Sequence, residues 1–182
     1  MTHYIVIEGA DGTGTTTHTD LLTLALRSCG VDAVAFHHAR PSLGNAWLDA
    51  LDYARQRALL VASKPTALVV ADRWHWSTLT EAAALASSSL DALHRAEWLR
   101  SPIALATFIL DAPDDVLDAR ITARGEEVTH RDRIRRLAYR ELAALPNNRD
   151  ARSTHLVDTS RPVPEVTRDL LTATLAAIGV TL

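Results

Sequence analysis

The chain has 182 residues, 47% of them hydrophobic and 23% charged, with a net charge of −3. That length bounds it to one domain with a sizeable core, and that balance excludes an intrinsically disordered chain. The small negative charge excludes an overall basic field of the kind that draws proteins onto nucleic acid or an acidic membrane surface.

Apolar runs rich in β-branched residues alternate with longer segments of helical period, which predicts α/β architecture: a parallel β-sheet flanked by helices, in a single domain spanning residues 1–182. Residues 3–8 (HYIVIE) read as a buried strand, followed by a Gly-rich turn and a helix over 16–29 that stops at Gly30. A second strand is predicted over 31–37 and a long helix over 43–62, closed by Lys64-Pro65. A third strand follows at 67–71, then helices over 77–86 and 90–99, then a fourth strand over 103–110. Helices over 114–124 and 131–145, broken at Gly125, precede a short strand at 154–157 and a closing helix at 165–178. The first strand begins almost at once, with no charged leader, no signal-type apolar run and no stretch of membrane-spanning length. Cys29 is the only cysteine, so an intramolecular disulfide is excluded and a reducing, cytoplasmic setting is expected, with the thiol as a small apolar filler near a helix end.

Gly9-Ala10-Asp11-Gly12-Thr13-Gly14-Thr15-Thr16 lies between the first strand and the first helix, where a phosphate-binding loop belongs. Glycines let the backbone turn tightly, so that successive N–H groups and the helix N-terminus form a positive nest for phosphate. Gly9, Gly12, Thr13, Gly14, Thr15, Thr16 and Thr17 are the nucleotide-binding candidates, and the Thr16 hydroxyl can reach a magnesium ion. A Gly-x-x-x-x-Gly skeleton alone is weakly specific; the strand before it, the helix after it and Thr16 in register make it specific here. One position departs. Thr15 stands where such loops carry a lysine that bridges the phosphates and neutralises charge during transfer. Lys64 is the only lysine in the chain, so no second lysine can substitute. Losing one such donor is expected to slow transfer about 10²–10³-fold.

From Ile5 onward the sequence resembles the thymidylate kinases, P-loop nucleoside monophosphate kinases. The family's opening Ile-Glu-Gly-x-Asp-Gly-x-Gly appears as Ile7-Glu8-Gly9-Ala10-Asp11-Gly12-Thr13-Gly14. The resemblance implies that Asp11 helps hold the acceptor's sugar. The family's Arg-x-Pro is reduced to Arg40-Pro41, and its stacking aromatic with an arginine four residues on corresponds to Tyr53 and Arg57. That spacing places both on one helix face. Asp72-Arg73-Trp74 resembles the Asp-Arg-aromatic motif after the third strand, with Ser77 at the family's serine. A carboxylate at the carboxyl end of a parallel strand faces the ligand crevice, so Asp72 is a magnesium-orienting candidate and Arg73 a clamp for the bridged phosphates. Thr80-Glu81-Ala82 replaces the family's Ala-Tyr-Gln, which removes the glutamine that would select thymine.

Leu110-Asp111-Ala112-Pro113 followed by Arg120-x-x-x-Arg124-Gly125 resembles the strand and lid that close over ATP, with a lid at about 120–135. Residues 10–13 contain no arginine, and family members of that kind use lid arginines, which makes Arg120 and Arg124 the catalytic candidates beside Asp11 and Arg73. Arg131 and Arg133 fall in the lid's flexible part, whereas Arg135 and Arg136 are expected on a solvated helix face. Tyr139 matches a lid-following tyrosine, and Thr159-Ser160 the loop that touches adenine. His18, His37, His38 and His75 fit no metal spacing and are expected to be solvated or satisfied in the core.

The resemblance therefore implies transfer of the γ-phosphoryl group of ATP to a pyrimidine deoxynucleoside monophosphate such as dTMP, with Mg2+. An arginine from the lid or Arg73 would cover the missing lysine. Two alternatives stand beside it: a nucleotide-binding protein without kinase activity, and a phosphohydrolase in which Asp11, Glu8 and Asp72 hold a metal. The partners expected are small-molecule nucleotides, not nucleic acid or membrane, with a homodimer by analogy to the family.

Overall fold

In the computed structural model the residues described are 3–38, 46–63, 66–74, 76–77, 80, 103–144 and 152–180. The predicted helix over 90–99, that over 77–86 apart from residues 77 and 80, and the expectations for Arg40, His75, Glu81 and Ala82 lie outside them, as does the side chain of Tyr53.

Strand β1 (His3–Gly9) is buried from Tyr4 onward. Its side chains alternate between two cores, as the period of two requires. Ile5 and Ile7 pack with Leu22, Leu26, Val70, Phe108, Leu110 and Leu170, whereas Tyr4 and Val6 pack with Val69, Ala71 and Trp74. Burial on both faces is what parallel strands covered by helices demand. Helix α1 (Thr15–Ser28) and helix α5 (Val163–Ala177) supply the first cover through Leu22, Leu26, Val166 and Leu170. Helix α2 (Ala46–Ser63) lies on the other side, where Leu60 joins the second core.

The remaining strands are β2 (Ala33–His37), β3 (Leu68–Asp72), β4 (Ala106–Asp111) and β5 (Thr154–Asp158). All pair in parallel, in the order β2-β3-β1-β4-β5. The protein is thus α/β, with a five-stranded parallel sheet between helices. The chain leaves β1 toward the β2 edge and leaves β4 toward the β5 edge. The topological switch, where α/β sheets open a crevice, therefore lies between β1 and β4 at their carboxyl ends. Helices α3 (Asp114–Ala123) and α4 (His130–Ala144) follow β4 over that end.

Two strand starts differ from expectation by two residues or more. The strand predicted from residue 31 begins at Ala33, because Gly30 N donates to Arg27 O and Val31 N to Leu26 O. This left-handed exit turn (Gly30 φ 79) holds Val31 in the helix cap. The fourth strand starts at Ala106, and Ile103, expected inside it, is 63% exposed. Cys29 is corrected as well: it lies on the exposed end of α1 and fills no core.

Phe108 is 1% exposed between α1, α5 and the sheet. Phe108→Ala should cost about 3–5 kcal/mol, lowering the urea midpoint at unchanged slope.

Candidate phosphate-binding site

Between β1 and α1 the backbone makes two left-handed steps, Gly12 at φ 89 and Gly14 at φ 87, which only glycine adopts at low cost. Thr13 fixes the turn by donating its hydroxyl to Ala10 O at 2.8 Å. Gly9 permits the close approach of β4: a Cβ there would sit 2.5 Å from Thr13 Oγ1 and 2.8 Å from Leu110 O. Gly14 caps α1 with no side-chain hydrogen bond, and the first turn holds no acidic residue. The leading N–H groups of α1 therefore keep their capacity for an anion. Thr15, where a lysine was expected, is 5% exposed, while Thr16 and Thr17 stand exposed in that first turn.

At the adjacent strand end, Asp72 Oδ2 accepts the Thr16 hydroxyl at 2.6 Å and lies 3.1 Å from His37 Nδ1. His37 Nε2 in turn lies 2.9 Å from Asp20 Oδ1, one helical turn beyond Thr16. Burial opposes protonation of His37, but its bonds to Asp72 and Asp20 outweigh it and raise the pKa. The other oxygen of Asp72, Oδ1, is buried without a hydrogen-bond partner among the described residues. This was legible only in part from sequence: Thr16 and Asp72 were expected, the His37–Asp20 buttress was not.

Glu8 is the residue that sequence reasoning misplaced. As a metal-holding carboxylate for hydrolysis it is corrected by its partners: Oε1 accepts the main-chain N–H groups of Trp74, Trp76 and Ser77 at 2.7, 2.9 and 3.2 Å. Oε2 accepts the hydroxyls of Ser77 at 2.6 Å and Tyr139 at 2.9 Å. Five donors therefore occupy a fully buried carboxylate. Burial pushes its pKa up, and the hydroxyl bonds from Ser77 and Tyr139 pull against that rise. Gathering three N–H groups onto one oxygen forces the chain to turn sharply as it leaves β3. Arg73 takes φ 71, a left-handed conformation rare for a side-chain-bearing residue, with its N–H on Ile7 O.

That turn aims the Arg73 guanidinium back at the loop. Nη1 donates to Gly9 O at 3.1 Å and Nη2 to Asp11 Oδ1 at 2.6 Å. The second oxygen of Asp11 accepts from Arg135 Nη1 at 3.0 Å. Arg135 and Arg136 were expected on a solvated face; they are 9% and 1% exposed instead. Arg136 pairs with Asp118 at 2.6 Å and Arg140 grips both oxygens of Asp111, at 2.8 and 3.1 Å. The α4 face that reads as a charge run is thus the face pinned to α3 and to the end of β4. Ion pairing replaces solvation there.

The two arginines expected to act together have separate places. Arg120 donates to Gly12 O at 3.2 Å, to Thr159 Oγ1 at 3.3 Å and to Thr159 O at 2.7 Å, tying the loop to the end of β5. Arg124 is exposed and pairs with Glu126 at 3.2 Å. Tyr139 is buried with Ala10, Trp76 and Ile109. His18 is buried beside Thr167, its pKa lowered by burial and by Arg120.

On the other side of β3, Arg57 is 3% exposed, with its Cζ 5.2 Å over the Trp74 ring. His38 packs edge-on between Phe36 and Trp74, and its Nδ1 lies 3.2 Å from Asp72 O. Burial, aided by the Arg57 charge, lowers the His38 pKa from 6.5 to about 4. Between those two values the unfolded chain binds a proton that the folded chain refuses. Stability from this group is complete above pH 6.5 and is lost as pH falls toward 4. The loss reaches about 3 kcal/mol, and His38→Phe should flatten this part of the stability–pH curve measured by urea unfolding.

Among the described residues no helix is long and apolar enough to cross a membrane, and no three of His, Cys, Asp and Glu form a metal cluster. Neither protein-family models nor curated proteins match the chain.

Proposed function

We propose that the protein is a nucleoside monophosphate kinase of thymidylate kinase type, which passes the γ-phosphoryl group of ATP to a pyrimidine deoxynucleoside monophosphate. The observation that carries this reading is the Thr16 hydroxyl on Asp72 at the mouth of a loop with two left-handed glycines. A helix N-terminus with uncapped N–H groups suits the phosphates of a nucleotide. Arg73 and Arg135, anchored on Asp11, suit the charge that develops between donor and acceptor. The acceptor's phosphate oxygen attacks the γ-phosphorus, the bond to the β-phosphate oxygen breaks, and ADP leaves. Nothing covalent is asked of the protein; positioning and electrostatics carry the step.

Magnesium fits this reading, since Thr16 supplies a hydroxyl and Asp72 a buried Oδ1 with no hydrogen-bond partner among the described residues. Thr16 and Asp72 would hold the ion directly or through water, and bound with ATP it would neutralise phosphoryl oxygens. The lone, exposed Cys29 thiol suits a reducing cytoplasm, and a homodimer belongs to the same family reading. A second reading, nucleotide binding without transfer, is favoured by one observation: the neutral, buried Thr15 at the lysine position.

Incubation with Mg2+ and a panel of nucleoside monophosphates, with and without ATP, separates these readings. The kinase forms ADP only when an acceptor is present. Binding without turnover leaves the second reading, and phosphate released from the monophosphate without ATP overturns both. In the kinase, Arg73→Gln should reduce turnover about 10²–10³-fold, with a lower melting temperature from the lost bonds to Gly9 and Asp11.

A further inference from the structure

Asp72 is the acid that the nucleotide reading places beside magnesium, so whatever fixes its carboxylate governs how well an ion is held there. Its Oδ2 takes contacts from two different elements: the Thr16 hydroxyl of α1 at 2.6 Å and Nδ1 of His37, the last residue of β2, at 3.1 Å. A carboxylate only accepts, so the imidazole donates. The threonine hydroxyl has one proton and two lone pairs; with the proton on Asp72, the lone pairs remain for a cation. The terminal torsion of an aspartate is broad, and one bond to a rotatable hydroxyl leaves the carboxylate free to turn. The second bond, from His37, removes that freedom, while Oδ1 has no hydrogen-bond partner among the described residues.

The imidazole is itself braced from its far side. Its Nε2 lies 2.9 Å from Asp20 Oδ1, on α1 four residues after Thr16. That spacing puts Thr16 and Asp20 on one helix face. The register of β2 on β3 sets His37 opposite Asp72. Thr16, Asp72, His37 and Asp20 therefore close a ring of contacts that starts and ends on α1. The outer arm of the ring is open to solvent, with the His37 and Asp20 side chains 37% and 56% exposed. Ion pairs that exposed contribute little to stability, so the arm serves the orientation of Asp72 more than the fold. A carboxylate oriented before the ion arrives loses little freedom on binding it.

We propose that His37 is a positioning residue for a divalent cation bound with the nucleotide: braced on Asp20, it holds Asp72 in one orientation beside Thr16. This rests on the nucleotide-binding reading above. ATP titrated calorimetrically into the whole protein, once with Mg2+ and once with EDTA, separates the ion's share of binding from the loop's without requiring turnover. His37→Ala should weaken binding with Mg2+ about tenfold or more and leave binding in EDTA unchanged. The amide nitrogen of asparagine falls near Nδ1 and that of glutamine near Nε2. His37→Asn should therefore keep most of the Mg2+-dependent affinity, whereas His37→Gln, which reaches Asp20 and not Asp72, should behave as His37→Ala does. Melting temperatures show that each variant is folded. Unchanged binding with Mg2+ by His37→Ala overturns the proposal alone. So does an equal loss with and without Mg2+, which marks a structural role, and so does rescue by glutamine equal to that by asparagine. Native binding of ATP that ignores Mg2+ overturns the cation site and this proposal while nucleotide binding stands. A native protein that binds no ATP in either condition overturns the nucleotide reading itself, and the proposal with it.

Discussion

A carboxylate with no exposed surface carries a large desolvation cost, and Glu8 offsets it with five hydrogen bonds drawn from two separate parts of the chain. The bonds to Trp74, Trp76 and Ser77 fix how the chain leaves β3, and the bond to Tyr139 fixes where α4 lies. Removing one partner would strand a buried charge, so these elements hold one another in register. The left-handed Arg73 is the local consequence. A conformation costing about 1–3 kcal/mol persists because the surrounding bonds leave the chain no other exit.

From that constraint the candidate site follows in order. Arg73 is turned toward Gly9 and Asp11, and Asp11 becomes the meeting point of β3's exit and α4. On the other side of the loop, Thr16 and His37 hold one oxygen of Asp72 and leave Oδ1 buried without a hydrogen-bond partner among the described residues. The loop is thus bordered by two guanidinium groups on Asp11 and by the Asp72 carboxylate. Under the proposed nucleotide reading, a phosphate chain with a bound cation would present the complementary polarity.

The arginines of the 120–140 region separate by what they touch. Arg120 fastens the loop to β5, Arg136 and Arg140 fasten α4 to α3 and β4, Arg135 reaches Asp11, and Arg124 stays in solvent. Sequence spacing treats them alike, because arginine on a helix surface looks the same whether its partner is water or an aspartate from a distant segment. Long side chains on facing helices find partners only after the helices are placed. Position in a charge run therefore says little about role here.

The sequence by itself determined the alternation of strands and helices, the phosphate-type loop at the end of β1, the helix stop at Gly30 and the neighbourhood of Thr16 and Asp72. Each of these is local: a period of two or 3.6, a glycine at a left-handed step, a polar residue at a strand's carboxyl end. What only the tertiary structure decided is which groups share a partner. Glu8 looks like one more acid in a motif until three N–H groups from residues 74–77 close on it. Asp11 looks free until guanidinium groups 62 and 124 residues away meet on its two oxygens. Likewise His37, one residue past the apolar run of β2, joins Asp20 to Asp72 only because β2 pairs with β3 in that register. Local propensity and periodicity are short-ranged. Charge pairing across a sheet is set by strand order and helix docking, which no stretch of the chain encodes alone.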